Sequence, residues 1–404
     1  MKLQIKRCIY ISTLLLITSS AMAQEGIQKI ADSTNAFAFD IYRQIAAKEK
    51  SNIFISPFSI STALAMTYAG SDDITMKEMA RVMHFDSNSD SFHHNFGLFL
   101  SQLEKNAKDK ITWHLANKLW GEKNYTFEQE FLDLLAKSYL SPLQKLDFIA
   151  QPEECRKLIN AWVEKNTEGK IKNLIPEGAI TNDTRLVLTN AIYFKADWRY
   201  PFKKENTKSD KFTKADKKEL TVPFMNYLGS FHHSATNKYQ AIRLPYKGDK
   251  HSMIIILPND TKDLPVIEKE INSKAFEPLF NEYLVEVMLS LPKFKATLGL
   301  SLSDYLKAMG MKEAFSGAAN FSKMTPTKDL FISEVFHKAF IEVDEKGTEA
   351  AAATAVVMRL TSSAPVPKPK PIIFNANHPF LFYIIDDQTR SVIFMGRMMD
   401  PSAE

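Results

Sequence analysis

The spacing of hydrophobic residues alternates along the chain between two patterns. Apolar side chains recur every three or four residues over 28–45 and 154–166, which predicts two amphipathic helices. Residues 184–194 are almost continuously apolar and rich in β-branched side chains, which predicts a strand buried on both faces. Further helices are predicted at 300–309 and from Pro57 onward, and further strands at 52–55, 251–257, 285–291, 381–385 and 392–396.

The order of these predicted elements indicates the fold class. Helices dominate the first half of the chain and strands the second, and no repeat period is visible. This arrangement favours an α+β fold over a regularly alternating parallel α/β fold. The chain has 404 residues, of which 45% are hydrophobic, so it can bury a core as one large domain or as two or three small ones.

The first 23 residues have the composition of a secretory signal. Three cations within the first seven residues precede a short apolar stretch at 9–17, and small residues follow at 19–23. We expect cleavage after residue 23, so that Gln24 becomes the N-terminus and the protein is secreted, periplasmic or on the cell surface. A membrane anchor would need about 20 apolar residues, and neither this stretch nor any later segment is long enough.

The charge balance gives no reason to expect an anionic partner. The formal net charge is +4, and loss of the three cations of the signal reduces it to +1. A near-neutral protein offers little electrostatic attraction to nucleic acid or to anionic membranes, so neither is predicted as a partner. The basic residues form no dense cluster, so no polyanionic cofactor is predicted.

The sequence lacks the motifs of common enzyme and metal sites. It has no nucleophile elbow, zinc-protease motif, paired-cysteine motif or glycine-rich nucleotide loop. After signal cleavage Cys155 is the only cysteine, and we expect a half-buried helix residue there rather than a nucleophile. The pairs His93–His94 and His232–His233 are expected on the surface and not at a metal. These features argue against an enzyme.

Residues 345–371 differ in composition from the rest of the chain. Four alanines at 350–353 follow Gly347, and residues 362–371 are rich in proline. An interdomain linker is one interpretation. However, the 33 residues after Pro371 are predicted to form core strands, which favours a long exposed loop within one domain, here residues 24–404.

Five stretches of the chain, in this order, resemble the serpin family from about residue 28 to residue 400. They are residues 52–60, 160–171, 188–198, 337–351 and 374–382. The resemblance implies one domain of three β-sheets and eight or nine helices with an exposed reactive-centre loop. It also implies a monomer without catalytic activity, metal or cofactor.

In inhibitory serpins the reactive loop is bait for a protease. The protease forms an acyl-enzyme, the cut loop inserts as a strand into the main sheet, and the protease is trapped covalently. The resemblance therefore implies a metastable suicide inhibitor of serine, or cysteine, proteases. The alternative is a non-inhibitory serpin that acts as a binding or chaperone-like protein.

The loop sequence itself is compatible with insertion. Alternate side chains of a strand lie on opposite faces. One face would carry only small or apolar residues, namely Thr348, Ala350, Ala352, Thr354, Val356 and Met358. Both charges, Glu349 and Arg359, fall on the other face, so no charge would be buried. The alanines also have high helix propensity, so the resting conformation of the loop stays open.

The resemblance assigns roles to residues of the loop hinge and to residues beneath the sheet. The loop hinge would comprise Glu345, Gly347, Thr348, Glu349, Ala350, Ala351, Ala352 and Ala353. A polar cluster beneath the sheet would comprise Ser56, Ser59, Asn190 and His337, with Trp198 near the point of first insertion. Ordinary core packing is the alternative for each of these five residues.

The scissile bond of family loops usually follows the fourteenth residue after the hinge glycine. Counting from Gly347 gives Thr361–Ser362, and a threonine there suits elastase-like proteases. Leu360 would suit chymotrypsin- or subtilisin-like pockets. Arg359, with Arg359–Leu360 as the alternative scissile bond, would suit trypsin-like ones. Elastase-like or subtilisin-like partners are favoured.

Overall fold

The computed structural model describes residues 2–86, 91–107, 111–281, 283–326, 329–348 and 369–403, with only the backbone described for residues 2–20 and 114. Within these ranges the α-helices are α1 Lys2–Lys48, α2 Pro57–Tyr68, α3 Asp73–Met83, α4 Phe92–Ala107, α5 Gln129–Leu134, α6 Pro152–Asn166, α7 Leu264–Glu270 and α8 Ser303–Met309. A π-helical turn, Leu135–Tyr139, follows α5, and short 3-10 turns lie at Lys204–Asn206, Thr261–Asp263, Ser273–Phe280 and Glu313–Phe315.

The strands are concentrated in the second half of the chain. They are β1 Ile53–Ile55, β2 Ile111–Glu122, β3 Gln144–Leu146, β4 Leu186–Asp197, β5 Lys208–Thr213, β6 Glu219–Ala235, β7 Tyr239–Pro245, β8 His251–Pro258, β9 Val285–Pro292, β10 Phe294–Ser301, β11 Glu334–Val343, β12 Gly347–Thr348, β13 Ile372–Asn375, β14 Phe380–Asp386 and β15 Val392–Met398. The predicted α+β class is therefore confirmed.

The strands form two hydrogen-bonded networks. The first has six strands in the order β10-β11-β12-β4-β2-β3. The second has nine, in the order β1-β15-β14-β8-β7-β6-β9-β13, with β5 also paired to β6. Because the 17-residue strand β6 pairs with β5 and β9 along one part and with β7 along another, this network divides into two sheets. The three expected sheets are thus present.

Helix α2 fills the space between the six-stranded sheet and β15. All its residues are buried, and it contacts β2, β4 and β15. It begins where it does because the hydroxyl of Ser56 accepts a hydrogen bond from the backbone N–H of Ser59 and because Pro57 needs no N–H partner in the first turn. Helix α6 covers the opposite face of the sheet over a smaller apolar cluster. Strand β4 is therefore buried on both faces, as its apolar run predicts.

The prediction of a helix over 300–309 is partly wrong. Leu300 and Ser301 end strand β10, where they pair with His337 and Phe336 of β11, and the helix begins only at Ser303. The helical spacing of the apolar residues is overridden by the hydrogen bonds that the two residues gain in the sheet.

Among the α1 side chains that the structure describes, which start at residue 21, the first buried one comes after the predicted signal. Ile27 and Ile30 are buried, whereas Gln24 is exposed. The cleavage site after residue 23 stays a prediction. Among the described residues, no helix combines the length and the apolar character that crossing a membrane requires.

Candidate functional site

The strand pair β4–β11 in the six-stranded sheet is open at one end. The two strands pair in parallel from Val187–Glu334 to Tyr193–Phe340. Beyond that level the two-residue strand β12 lies between them. Its Thr348 pairs antiparallel with Val343 of β11 and with Ala196 of β4. We call the line of direct β4–β11 pairing the seam; a strand that extended β12 would have to part it.

The seam opens at a position that only glycine can fill. A Cβ atom on Gly347 would lie 2.1 Å from the carbonyl oxygen of Ala196, so any larger residue would displace β12. The next residue, Thr348, is fully buried, and its hydroxyl forms a 2.9 Å hydrogen bond with the hydroxyl of Tyr246. The side chain of Thr348 therefore lies in the core, on the buried face of the six-stranded sheet.

Trp198 supports the same end of the seam. Its ring stacks on Tyr246 with centroids 4.6 Å apart and planes 5° from parallel. Its indole N–H donates to the backbone oxygen of Asp344, 3.0 Å away. The Asp344 carboxylate in turn accepts from the backbone N–H groups of Lys346 and Gly347. These contacts fix the turn that directs the chain into β12.

Glu345 is a charged residue with only 5% of its surface exposed. Its carboxylate accepts from the ammonium of Lys293 and from the hydroxyl of Thr207, both at 2.9 Å. Burial opposes its ionisation, but these hydrogen bonds outweigh it and hold the pKa of the Glu345 carboxyl below its usual range. The ion pair anchors the first residue of the predicted hinge.

The predicted hinge lies only partly within the described residues. Glu345, Gly347 and Thr348 are placed together at the open end of the seam. Glu349, Ala350, Ala351, Ala352, Ala353, Arg359, Leu360, Thr361 and Ser362 lie outside the described residues. Their roles stay predictions.

Ser56, Ser59, Asn190 and His337 come together in one fully buried cluster. The Nε2 atom of His337 accepts from the backbone N–H of Ser56 at 3.2 Å, so the ring hydrogen is on Nδ1 and is donated to the Oδ1 atom of Asn190. The Asn190 amide donates to the hydroxyl of Ser59 at 2.7 Å. The Ser56 hydroxyl donates to the backbone oxygen of Ile393 in β15.

Asn117 completes this cluster and was not among the residues predicted from the sequence. Its Oδ1 accepts from the Ser59 hydroxyl and from the Asn190 amide, both at 2.8 Å, and its Nδ2 donates to the backbone oxygen of Ser59. The available signal was an amide at the position between Leu115 and Leu119 on one face of β2.

The cluster spans the seam. Asn190 of β4 and His337 of β11 are direct partners in the parallel register, so their side-chain hydrogen bond joins the two strands that would have to part. Separation of the strands would leave a donor and an acceptor buried without partners, at a cost of about 1–3 kcal/mol for each group. The cluster therefore couples seam opening to the core around α2.

His337 should make the stability of the protein depend on pH. Complete burial lowers its pKa from 6.5 to about 3. The unfolded chain therefore binds a proton between pH 6.5 and 3 that the folded chain does not. The stabilisation from the neutral ring is complete above pH 6.5 and declines as the pH falls through this window. At pH 5 we expect a loss of about 2 kcal/mol from this residue.

Unfolding midpoints at pH 7.5 and pH 5 measure this loss. Because burial also lowers the pKa of other histidines, such as the partly buried His93, the comparison is made against the His337→Gln variant. The midpoint should fall less steeply with pH in the variant. Equal slopes in the two proteins would show that the ring is already protonated or is not buried.

The remaining candidate residues from the sequence are Cys155 and the two histidine pairs. Cys155 is buried in α6, deeper than the half-buried position expected, and burial raises the pKa of its thiol. His94 is exposed as predicted. His93, His232 and His233 are only partly exposed. His93 packs against Tyr139 with a 2.7 Å hydrogen bond. Among the described residues no group of three His, Cys, Asp or Glu is arranged to hold a metal.

Comparison with known proteins gives consistent results. The family model "Serpin (serine protease inhibitor)" matches residues 32–401. Human Serpin B4 is 40% identical over 93% of this chain and 100% of its own length. The leukocyte elastase inhibitor of Xenopus tropicalis is 38% identical over 93% of this chain and 100% of its own length. The solved structure of Serpin48 from Tenebrio molitor superposes with a TM-score of 0.80 at 32% identity, covering 92% of this chain and 98% of that one.

Proposed function

The chain belongs to the serpin family, whose model spans most of its length, and on this basis we propose that it is a suicide-substrate inhibitor of serine, or cysteine, proteases. A protease would cleave the loop at 345–371 and form an acyl-enzyme. The upstream part of the loop would then insert between β4 and β11 before deacylation and trap the protease. The protein would be consumed in the process and would not act as a catalyst.

The observation that carries the proposal is the position of β12. It already lies between β4 and β11 and is antiparallel to both. Along an extended β12, successive residues would hydrogen-bond through their backbones alternately to β4 and to β11. Insertion would therefore lengthen an existing strand and would not need a new nucleus.

The registers of the two neighbouring strands agree at every level of the seam. Thr348 is opposite Val343 and Ala196. Continuing antiparallel, residue 351 would lie between Phe340 and Tyr193, which are themselves partners, and residue 354 between His337 and Asn190. An inserted strand would thus satisfy both neighbours without a shift in register.

The residue that would reach the polar cluster is itself polar. Insertion would separate the Nδ1 hydrogen of His337 from the Oδ1 atom of Asn190. Thr354, on the same face as Thr348, has a hydroxyl that both donates and accepts. It is suited to bridge the two groups, so the cost of opening the cluster would be recovered on insertion.

Denaturing gel electrophoresis tests the proposed function. We expect a band that survives boiling in detergent, at the mass of the protease plus the chain without its C-terminal peptide, with pancreatic elastase, subtilisin and trypsin as probes. A protease whose active-site serine is blocked should give no such band. Loop cleavage without the band would contradict inhibition and would support the binding or chaperone-like alternative.

We expect Thr361–Ser362 to be the main inhibitory bond, with elastase-like or subtilisin-like enzymes as favoured partners. Use of Arg359–Leu360 by trypsin-like enzymes would shorten the inserted strand by two residues, or about 6.6 Å. A shorter inserted strand distorts the protease less, so more turnover as substrate is expected with trypsin.

The mass of the C-terminal peptide released on complex formation identifies the bond. A peptide that begins at Ser362 supports the proposal. A peptide that begins at Leu360 when elastase is the probe would overturn it.

We extend the proposal to location. Residues 1–23 would direct the protein to the cell exterior or periplasm and would be removed on export. A monomer would suffice for inhibition. In support, Ala21 and Met22, the residues before Ala23 whose side chains the structure describes, are exposed, whereas Ile27 and Ile30 beyond the proposed cleavage site are buried.

A further inference from the structure

The segment that follows α6 crosses the face of the six-stranded sheet that α6 covers, here called the outer face. At one end Ile175 is tied to α6, since the Asn160 side chain bonds its backbone N–H and its carbonyl oxygen, both at 2.9 Å. Earlier in the same segment, the carbonyl oxygen of Lys172 accepts a 2.9 Å hydrogen bond from the ammonium of Lys338 in β11. The segment is thus attached to the strand on one side of the seam.

Lys170, in the same segment, contacts both sides of the seam. Its ammonium nitrogen lies 5.7 Å from the ring centroid of Tyr193 in β4 and 5.5 Å from that of Phe340 in β11. The two rings are 6.2 Å apart. Both nitrogen-to-ring distances are within the range of a cation–π interaction. Such an interaction is stronger when the cation is partly removed from water, and Lys170 is half-buried.

Tyr193 and Phe340 mark the level at which the seam would first open. They are the last directly paired residues before β12. From these contacts we infer that Lys170 holds the seam closed and that release of its ammonium from one ring is a step of loop insertion. The inference rests on the proposed function, because it assigns a residue to the insertion step.

An inserted strand cannot coexist with both contacts. Neighbouring strands are about 4.8 Å apart, so one added strand would increase the ring separation from 6.2 Å to about 11 Å. A cation within about 6 Å of both centroids would then have to lie between the rings. In the register of β12 that space is taken by residue 351.

Lys170 therefore stabilises the closed sheet and not the inserted one. Removing its charge should lower the barrier to insertion and leave the inserted state unchanged. A residue with a purely structural role would affect both states alike. The difference between the two states is thus the signature of the proposed role.

The test compares Lys170→Met with Lys157→Met, which removes the same charge from an exposed ion pair with Glu154 on α6. The probe is a synthetic peptide with the sequence of residues 348–360, mixed with intact protein and followed by native electrophoresis. We expect Lys170→Met to take up the peptide about three- to tenfold faster than wild type. Lys170→Arg and Lys157→Met should match wild type.

Unfolding midpoints of intact and loop-cleaved protein give the second readout. In Lys170→Met the midpoint should fall only for the intact form. Equal falls in both forms, or an unchanged uptake rate, would overturn the inference. If wild type takes up no peptide, insertion itself fails and so does the proposed function. If wild type and Lys170→Met take it up equally fast, only the role of Lys170 fails.

Discussion

Cleavage within the loop should raise the thermal unfolding midpoint of the protein by about 20 °C. Insertion would extend β12 by about a dozen residues, which would hydrogen-bond alternately to β4 and β11, in exchange for the fewer direct bonds between β4 and β11. Even at a net 0.5–1.5 kcal/mol per bond, the gain is on the order of 10 kcal/mol. Each kcal/mol moves the midpoint of a large domain by roughly 2 °C. The intact form would persist only because a kinetic barrier separates it from the inserted form.

A calorimetric scan of intact and loop-cut protein checks this rise. The cut is made with a protease that cleaves the loop, and the fragments are kept together. A cut protein that melts at the same temperature as the intact one would show that the loop does not insert. That result would favour the non-inhibitory alternative.

The fold could be predicted from sequence wherever burial leaves a simple pattern. Strand β4 was predicted because both its faces are covered, by α2 and by α6, so its apolar run is continuous. The start of α8 was misplaced because Leu300 satisfies helical spacing and strand pairing equally well, and only the presence of β11 decides between them. Long-range pairing of this kind leaves no local signal.

The candidate site could be predicted only in part, for a related reason. His337 and Asn190 were identified through the family resemblance, but their partner Asn117 was not. It lies 58 residues from Ser59 in sequence and contacts it only through the fold. The contacts of Glu345 with Thr207 and of Thr348 with Tyr246 span 138 and 102 residues. Such contacts depend on the stacking of sheets and helices and have no characteristic spacing.

Thr348→Arg should convert the protein from an inhibitor into a substrate. The side chain of Thr348 is fully buried against Tyr246 on the face of the sheet that packs on α2. An arginine at this position would place an unpaired charge there, at a cost of several kcal/mol. Before cleavage, the variant can avoid this cost by withdrawing the two residues of β12 from between β4 and β11, so we expect it still to fold.

Insertion cannot avoid the cost, because residue 348 must enter the sheet before any later residue. In the variant, insertion would slow while deacylation continues at its usual rate. The protease would be released active, and the number of inhibitor molecules consumed per protease inactivated would rise from near one to about ten or more. The detergent-stable band should give way to cleaved chain.

Two matched variants identify the cause. Thr348→Ser keeps a small side chain and a hydroxyl that can bond to Tyr246, so it should inhibit like wild type. Glu349→Arg introduces the same cation one position later, on the opposite face of an inserted strand. It should have a mild effect, because the outer face can keep a long charged side chain in water. If Thr348→Arg and Glu349→Arg impair inhibition equally, the two faces are wrongly assigned and the register set by β12 does not continue into the loop.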